Sequence, residues 1–429
     1  MDASSRGATP GARISEFTAS ASASVTSEDL PPALQGLRVA LVHDWLTGMR
    51  GGEKCLEVLC RAFPRATLYT LIHRKGSTSP AIESMAIRTS PLQGVPGVFR
   101  YYRHLLPLMP AAAGRWKLKN VDLVVSLSHC VAKSVQAPPG VPHVCYCFTP
   151  MRYAWQGREA YLESWSDRPI RRVMARSLLN RLRDWDRDTS KRVSDFVAIS
   201  ETIRDRIAGC YHRDSHVIPP PVDTDFYDPA PDPTPREDFY LIVSALVPYK
   251  RVDQAIDACN RSGRRLVIIG AGPERARLEA LAGPTVTFLG WQSDQSIRDH
   301  YRRCRALIFP GEEDFGIVPV EALACGAPVI ALRRGGVAET VDDAFGRLYP
   351  EPTADALGAA VDGWEADGRP HDPALARRRA ELYSLPVFRR RLLDLLADVA
   401  SGNGRPSGIP RPHIAAQPAP RSHPRRVHG

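Results

Sequence analysis

Short apolar runs alternate with segments of helical periodicity along two successive stretches of the chain. In the first stretch, the apolar runs predict strands at 37–44, 67–72, 121–126, 143–147 and 196–199. In the second stretch, they predict strands at 240–245, 265–269, 286–289, 306–309 and 328–331. Because strands that alternate with helices form parallel sheets covered on both faces, the pattern predicts an α/β fold with two doubly wound, Rossmann-like domains.

Changes in composition set the expected boundaries of these domains. Residues 1–35 are rich in Ser and Ala, and residues 401–429 are rich in Pro, Arg and His, so both are predicted to be disordered tails. A Pro-rich stretch predicts a linker between the domains. The first domain, the linker, the second domain and a final helix are expected at 36–215, 216–238, 239–385 and 386–400.

The net charge of +10 fits ligands that carry phosphate, an anionic membrane surface or nucleic acid. No zinc-finger, RNA-recognition or bZIP pattern is present, so nucleic acid is not an expected partner. No apolar run reaches the roughly 20 residues of a membrane span, and the N-terminus lacks the apolar core of a secretory signal. The pattern therefore predicts a cytoplasmic protein. A basic helical segment at 170–192 is either a solvated surface helix or a contact with anionic lipid headgroups.

The segment after the predicted strand 306–309 is the most informative one. A loop ends in Phe315 and Gly316, and a helix is expected to begin near Ile317. The backbone N–H groups of Gly316, Ile317 and Val318 then point out of the helix start toward the carboxyl edge of the sheet. The positive end of the helix dipole makes this position suitable for a diphosphate.

Two carboxylates frame that helix start. Glu321 lies one turn inside the helix, where it can accept hydrogen bonds from the two hydroxyl groups of a ribose. Glu313 lies in the loop and can do the same for a sugar ring. Surface glutamates are common, so the informative feature is their placement around the Phe-Gly step and the helix of small residues that follows.

Glycines and cations follow other predicted strands. Lys250 and Arg251 can neutralise a departing diphosphate, although an ordinary exposed basic pair fits the same pattern. Gly51 and Gly52 follow the first strand and allow a phosphate or sugar to approach the backbone closely. Gly272 lies in a Gly-Ala-Gly-Pro turn without the third glycine of a dinucleotide fingerprint, so we interpret it as a tight turn beside the base or sugar.

His129 follows the predicted strand 121–126. It can deprotonate an acceptor hydroxyl group or bind the donor sugar, and a structural role is equally open. Three Asp-x-Asp pairs fall in the basic helical segment or the linker rather than at strand ends, so no metal site is expected; they are Asp184/Asp186, Asp186/Asp188 and Asp223/Asp225.

The spacing of Glu313 and Glu321 within Glu-Asp-Phe-Gly-Ile-Val-Pro-Val-Glu-Ala-Leu-Ala-Cys-Gly resembles that of glycosyltransferase family 4. The resemblance covers roughly residues 37–400. Five other segments are similar to those of a bacterial branch of the family. They are Val-His-Asp-Trp-Leu with Gly-Gly-Glu-Lys, His-Cys-Val-Ala-Lys, Thr-Pro-Met-Arg-Tyr-Ala-Trp and Pro-Tyr-Lys-Arg-Val-Asp. That branch builds O-antigen and exopolysaccharide, often with mannose donors.

The resemblance implies a GT-B fold and a retaining, metal-independent glycosyl transfer without a cofactor. Glu321 would hold the ribose and Glu313 the donor sugar, while Lys250 would meet the diphosphate and Gly51-Gly52 would face it from the other domain. The expected donor is a GDP- or UDP-sugar, and the expected acceptor is a saccharide or a polyprenyl-linked saccharide. If the basic segment at 170–192 binds lipid headgroups, peripheral contact with the inner membrane surface is also expected.

Two departures from the family pattern affect these expectations. Many members have Arg where this chain has Ala245, so Arg251 is expected to supply the second positive charge. Many also have His where this chain has Phe148, which removes a polar group from that loop. A nucleotide-sugar 2-epimerase and a non-catalytic nucleotide-sugar-binding protein remain alternative interpretations. The final helix would cross back to the first domain.

Overall fold

A computed structural model describes residues 30–156, 169–231, 235–368 and 371–402. Most of the two predicted tails lies outside these ranges. Residues 30–35, which the sequence placed in the disordered tail, include a 3-10 turn at Pro32–Leu34. The Leu34 side chain is buried in the main apolar cluster, so this end of the predicted tail belongs to the folded core.

The first domain contains a parallel sheet of seven strands in the order β3-β2-β1-β4-β5-β6-β7. In chain order, β1 to β7 are Val39–His43, Thr67–Thr70, Ala86–Thr89, Leu123–Ser128, His143–Cys147, Asp195–Ala198 and Ser215–Val217. Every residue of the central strands β1, β4 and β5 is buried, because helices cover both faces of the sheet.

The second domain contains a parallel sheet of six strands in the order β10-β9-β8-β11-β12-β13. In chain order, β8 to β13 are Tyr240–Val243, Leu266–Ile269, Val286–Gly290, Ala306–Phe309, Val329–Leu332 and Gly346–Tyr349. The predicted α/β fold with two doubly wound domains is therefore confirmed.

Helices connect the strands of both sheets. In the described residues, helices α1 to α7 are Gly51–Ala62, Pro80–Glu83, Val98–Tyr101, Met109–Ala113, Pro169–Ser190, Glu201–Tyr211 and Val252–Ser262. Helices α8 to α14 are Arg275–Leu281, Asp294–Arg303, Ile317–Ala324, Val337–Thr340, Ala354–Ala366, Pro373–Glu381 and Leu385–Ala400. Further 3-10 turns lie at Pro91–Gly94, Tyr102–Leu108, Ala132–Ser134 and Pro248–Lys250.

All ten predicted strands are present, with ends shifted by a few residues, but β3, β7 and β13 were not predicted. Each of these three lies at an edge of its sheet, and β3 and β7 contain no buried residue. An edge strand needs no continuous apolar run, so the sequence pattern that reveals a central strand is absent there.

The strand order reverses between β1 and β4 in the first sheet and between β8 and β11 in the second. In open α/β sheets, ligands bind at the carboxyl ends of the strands beside such a reversal. The segments that follow these four strands contain Gly51, at the start of α1, and His129, Lys250 and Glu313. The topology therefore brings residues that are distant in sequence to facing edges of the two domains.

Helix α5, which contains most of the predicted basic segment, packs on one side only. Leu179 and Leu182 are buried in an apolar cluster of the first domain, whereas Val173 and Met174 are largely exposed. None of the helices in the described part of the chain combines the length and the apolar character that crossing a bilayer requires. Helix α14 contacts the first domain, where Phe388 lies 5.7 Å from Tyr146 between ring centroids.

A buried ion pair joins α5 to the turn after β4. Lys133 and Asp186 are both almost fully buried and form a salt bridge. The Asp186 carboxylate also accepts hydrogen bonds from Trp155 Nε1 at 2.9 Å and from the Tyr211 hydroxyl group at 2.7 Å. The Asp186 carboxylate thus has three protein partners, and these contacts hold α5, α6 and the loop that ends at Trp155 together.

We expect Asp186→Asn to lower the free energy of unfolding by about 3–5 kcal/mol, because it leaves the Lys133 ammonium buried without a counter-charge. Urea denaturation measures this loss. Asp188→Asn is the matched control, since Asp188 lies on the same helix but is 70% exposed in its pair with Lys191. Its expected effect is within about 0.5 kcal/mol. Equal effects of the two substitutions would contradict the role given to the buried pair.

Candidate active site

Helix α10 begins at the carboxyl edge of the second sheet, as the sequence predicts. Gly316 precedes it with φ of +89°, a backbone conformation that residues with a side chain rarely adopt. Phe315 is buried and packs against Tyr383, with 5.5 Å between ring centroids. The Phe-Gly step therefore anchors the loop and turns the chain, so that Ile317 and Val318 begin the helix at the domain boundary.

Glu321 is buried one turn inside α10, with 7% of its surface exposed. The Tyr301 hydroxyl group donates a hydrogen bond to Oε2 at 3.2 Å, and Lys54 Nζ of the first domain lies 3.9 Å from Oε1. Burial raises the pKa of Glu321, while the positive charge of Lys54 opposes this rise. The carboxylate is thus fixed by one tyrosine and faces a cation across the domain boundary, where it can accept hydrogen bonds from a ligand.

Lys250 and Glu313 form an ion pair at the edge between β8 and β11. The loops that carry them pack closely, because a Cβ on Gly311 would lie only 2.9 Å from the Lys250 Cα atom. Burial, and after it the positive charge of Arg152, lowers the pKa of Lys250 to about 8, while Asp314 acts in the opposite direction. The two predicted site residues are therefore in contact and only partly exposed.

The start of helix α1 faces the start of α10. A Cβ on Gly51 would lie 2.7 Å from Cδ1 of Ile317, and one on Gly52 would lie 3.2 Å from the Phe148 ring. Glu53 caps α1 by accepting a hydrogen bond from the Arg50 N–H at 3.1 Å. Two helix N-termini, each with a positive dipole end, thus approach one another across the boundary between the domains.

His129 lies at the carboxyl end of β4 and is held by Asp44. Its Nδ1 atom is 3.1 Å from the Asp44 carboxylate, which also accepts four backbone hydrogen bonds, from residues 129–132. Trp45 contacts the imidazole edge at 4.4 Å between centroids. Burial lowers the pKa of His129, which Asp44 opposes. The contact of Nδ1 with Asp44 thus orients the imidazole ring, and Nε2 is available to a ligand hydroxyl group.

Two further predicted site residues, Arg251 and Gly272, lie in turns that follow strands of the second sheet. Arg251 is exposed, has φ of +50°, and forms no ion pair within the described residues. Burial raises the pKa of Tyr349, and the positive charge of Arg251 opposes this rise. The left-handed backbone at Arg251 turns the chain into α7. Gly272 packs against the chain after β8, since a Cβ there would lie 2.2 Å from the Leu246 carbonyl oxygen.

Phe148 occupies the position where many family members have His. Its ring contacts His43, His129 and Tyr146, with centroid distances of 6.4, 6.3 and 5.4 Å. The loop after β5 therefore presents an aromatic surface next to Gly52 instead of a polar group. In the described parts of the chain, no group of three or more His, Cys, Asp or Glu residues could hold a metal ion.

The sequence interpretation missed the charged residues that join the two domains. Arg152 and Arg206 of the first domain both form ion pairs with Asp314 of the second. The Ser200 hydroxyl group donates a hydrogen bond to the Asp314 carbonyl oxygen at 2.6 Å. Arg152 lies within the Thr149–Trp155 run that resembles the bacterial branch, so a signal existed, but nothing local linked it to residue 314.

Glu339 adds a second contact between the domains. Its carboxylate accepts hydrogen bonds from the backbone N–H groups of Glu201 and Thr202 at 2.8 and 2.9 Å. Ser200 caps the same helix, α6, by accepting a hydrogen bond from the Ile203 N–H at 3.1 Å. The second domain thus supplies an acid to the N-terminus of a helix of the first, where the helix dipole favours negative charge.

We expect Gly51→Val to weaken use of the donor without destabilising the fold, because the added side chain collides with Ile317 only when the domains are together. A fall in kcat/KM on the order of tenfold to a hundredfold is expected, since small displacements of reacting groups are costly. The melting temperature should stay near that of the wild type. Combining it with Ile317→Ala should recover part of the loss. A kcat/KM that stays unchanged would contradict the close approach of the two helices.

We expect kcat/KM to fall as the pH rises through about 8, because Lys250 of the free enzyme loses its positive charge there. Steady-state kinetics from about pH 6 to about pH 10, in steps of about half a pH unit, would measure the profile. Lys250→Arg should lower activity but remove this falling limb, because the pKa of a guanidinium group lies above about 12. If the arginine variant keeps the same limb, another group is responsible for it.

The two halves of the chain match known families. Residues 49–226 match the family described as Glycosyltransferase Family 4, and residues 223–381 match Glycosyl transferases group 1. The sucrose-phosphate synthase from Thermosynechococcus elongatus has a similar structure, with a TM-score of 0.61 and 19% identity over 85% of this chain and 100% of that chain. This likeness shows the fold alone.

Two mycobacterial proteins are similar in sequence. A GDP-mannose-dependent alpha-(1-6)-phosphatidylinositol monomannoside mannosyltransferase from Mycolicibacterium smegmatis is 30% identical over 48% of this chain and 59% of its own length. The corresponding dimannoside mannosyltransferase from Mycobacterium tuberculosis is 33% identical over 35% of this chain and 42% of its own. The chain thus spans about half the length of these relatives. Because the two family matches together cover residues 49–381, the chain belongs to the glycosyltransferases, with a family 4 domain followed by a group 1 domain.

Proposed function

We propose that this protein transfers mannose from GDP-mannose to a saccharide acceptor with retention of the anomeric configuration. The observation that carries the proposal is the approach of α1 and α10, whose N-termini face each other beside Lys250 and Glu321. Such an arrangement suits a diphosphate flanked by a ribose on one side and a sugar on the other. The GDP-mannose dependence named for the mycobacterial relatives supports the choice of donor.

The chemistry is the exchange of one bond at the anomeric carbon for another. The bond from this carbon to the β-phosphate oxygen breaks, and its electron pair leaves with GDP. The acceptor oxygen bonds to the same face of the carbon, and its proton passes to the departing phosphate oxygen. Lys250 and the helix N-termini stabilise the charge that develops on the diphosphate, which is the main contribution that an enzyme makes to such a step.

The remaining site residues bind and orient the donor in this proposal. Glu321 accepts hydrogen bonds from the ribose hydroxyl groups, and Glu313, beside Lys250, accepts them from the sugar ring. His129, held by Asp44, contacts a sugar hydroxyl group through Nε2. Closure of the domains excludes water from the anomeric carbon, which limits hydrolysis of the donor.

We further propose that the acceptor is a lipid-linked saccharide of a surface polysaccharide and is met at the cytoplasmic face of the membrane. The basic helix α5 supports this, because Val173 and Met174 are exposed on a helix that also carries several arginines. Apolar side chains beside basic ones suit a surface of anionic lipid headgroups.

Incubation of the purified protein with GDP-mannose and a polyprenyl-linked or free mannoside tests the proposed reaction. We expect NMR of the product to show an α-mannosidic bond, formed with the anomeric configuration of the donor. Glu321→Ala should weaken donor binding about tenfold or more, because a buried carboxylate that pairs with the ribose is lost. Isothermal titration calorimetry measures that affinity.

Four outcomes would contradict parts of the proposal. An inverted product excludes the retaining mechanism, and turnover with UDP-sugars alone excludes the proposed donor. Conversion of the donor to its 2-epimer or to free sugar epimers without any acceptor favours the epimerase interpretation. Donor binding that Glu321→Ala leaves unchanged would remove the assigned role of that residue.

A further inference from the structure

A second positive charge is missing from the place where many family members have one. Ala245, which follows the end of β8, is exposed and carries no charge, and Arg251 is exposed as well. Within the described residues, Lys250 is the one residue of the second domain that forms an ion pair with Glu313. A departing diphosphate gains about one further negative charge, so a single lysine leaves much of that charge without a partner.

Arg152 reaches the same place from the first domain. Its guanidinium carbon lies 5.9 Å from the centre of the Tyr249 ring, and Lys250 Nζ lies 5.5 Å from the centre of the same ring. Arg152 pairs with Asp314, the residue directly after the partner of Lys250. The two cations therefore flank one aromatic ring and pair with adjacent carboxylates, although they belong to different domains.

The charges around Arg152 allow it to change partners. Its side chain is 45% exposed, so it can reach a ligand in the space between the domains. Asp314 also pairs with Arg206 through its other carboxylate oxygen, and Arg206 is only 16% exposed. If Arg152 moves to a phosphate, Asp314 keeps a counter-charge. The exchange therefore leaves no carboxylate unpaired.

The effect of Arg152 on Lys250 shows that they are electrostatically coupled. After burial, the Arg152 charge is the largest cause that lowers the pKa of Lys250. Like charges held together without an anion repel each other, and a diphosphate placed next to both relieves that repulsion. The pair is therefore arranged for an anion that carries more charge than one carboxylate.

We propose that Arg152 is a catalytic residue, which the first domain contributes to the β-phosphate of the donor when the domains close, in place of the arginine absent at Ala245. This inference rests on the proposed transfer from a nucleotide-sugar. As the bond from the anomeric carbon to the β-phosphate oxygen breaks and its electron pair moves to that oxygen, Arg152 and Lys250 together hold the charge. The proton of the acceptor hydroxyl group then goes to the same phosphate oxygen, and the atoms balance without another reactant.

This assignment couples domain closure to chemistry. An open form would bind the donor to the second domain with Lys250 alone, and the second cation would arrive only when Gly51 reaches Ile317. Bond cleavage would then be slow until the acceptor-side domain is in place. The arrangement would suppress hydrolysis of the donor in the absence of closure.

The test combines Arg152→Ala with a rescue at Ala245. We expect Arg152→Ala to lower kcat with GDP-mannose on the order of 100-fold, with a smaller change in KM, because the lost contact acts mainly in the transition state. Arg152→Ala combined with Ala245→Arg should recover most of the lost kcat, since it restores the charge from the other domain. Arg251→Ala is the matched control, and its loss in kcat should be much smaller than that of Arg152→Ala.

A merely structural role of Arg152 predicts different results. If Arg152 only holds the domains together through Asp314, then Asp314→Ala should cause the same loss, and Ala245→Arg should not rescue the Arg152 variant. That pair of results overturns the proposal. A larger loss with Arg251→Ala than with Arg152→Ala also overturns it.

A binding measurement separates this inference from the proposed function. Calorimetry with GDP and with GMP, in the wild type and in Arg152→Ala, asks whether Arg152 contacts the β-phosphate. We expect the variant to bind GDP about tenfold more weakly and GMP with unchanged affinity, because a charge-assisted contact to the second phosphate is lost. This result would support the assignment even if the sugar or acceptor proves to be different. Equal effects on GDP and GMP, or no effect on either, would overturn it.

Discussion

The close approach of two helix N-termini is the constraint on which the rest of the site depends. It is possible because α1 begins with Gly51 and Gly52, which leave room for Ile317 and Phe148. Bringing two positive dipole ends together is unfavourable without an anion between them. The site therefore needs carboxylates, which Glu321 and Glu53 provide at the boundary, and it gains most when a ligand with several negative charges enters.

Long-range contacts explain where sequence interpretation succeeds and where it fails. The central strands and the start of α10 depend on local patterns, a buried apolar run or a Phe-Gly step before a helix, and both were predicted. The edge strands β3 and β7 have no such pattern because solvent covers part of each residue. Arg251 was predicted to supply a second positive charge beside Lys250, and its left-handed backbone at the start of α7 had no signal in the sequence.

Nothing in the sequence around Arg152 links it to Asp314. These residues are 162 positions apart and belong to different domains, so their pairing depends on how the domains close rather than on either fold. The same holds for Glu339 of the second domain, whose carboxylate accepts a hydrogen bond at the start of α6 in the first domain. Residues that act between domains are therefore the part of a two-domain site that a single sequence reveals least.

The strength of the domain contacts limits how the site can work. Partly exposed ion pairs contribute only about 0–1 kcal/mol each, so Arg152 and Asp314 hold the domains together weakly in the absence of a ligand. Charge-assisted hydrogen bonds to phosphate are roughly twice as strong as neutral ones, and they form in a space from which closure removes water. When the donor is bound, Arg152 exchanges Asp314 for a phosphate, and this exchange favours the closed form. Release of GDP removes the preference for the closed form, because the phosphate is gone. Arg152 then pairs again with Asp314, which has stayed paired with Arg206. A weak ion pair at this position allows both steps, whereas a buried and fully desolvated pair such as Lys133 and Asp186 would hold the domains in one state.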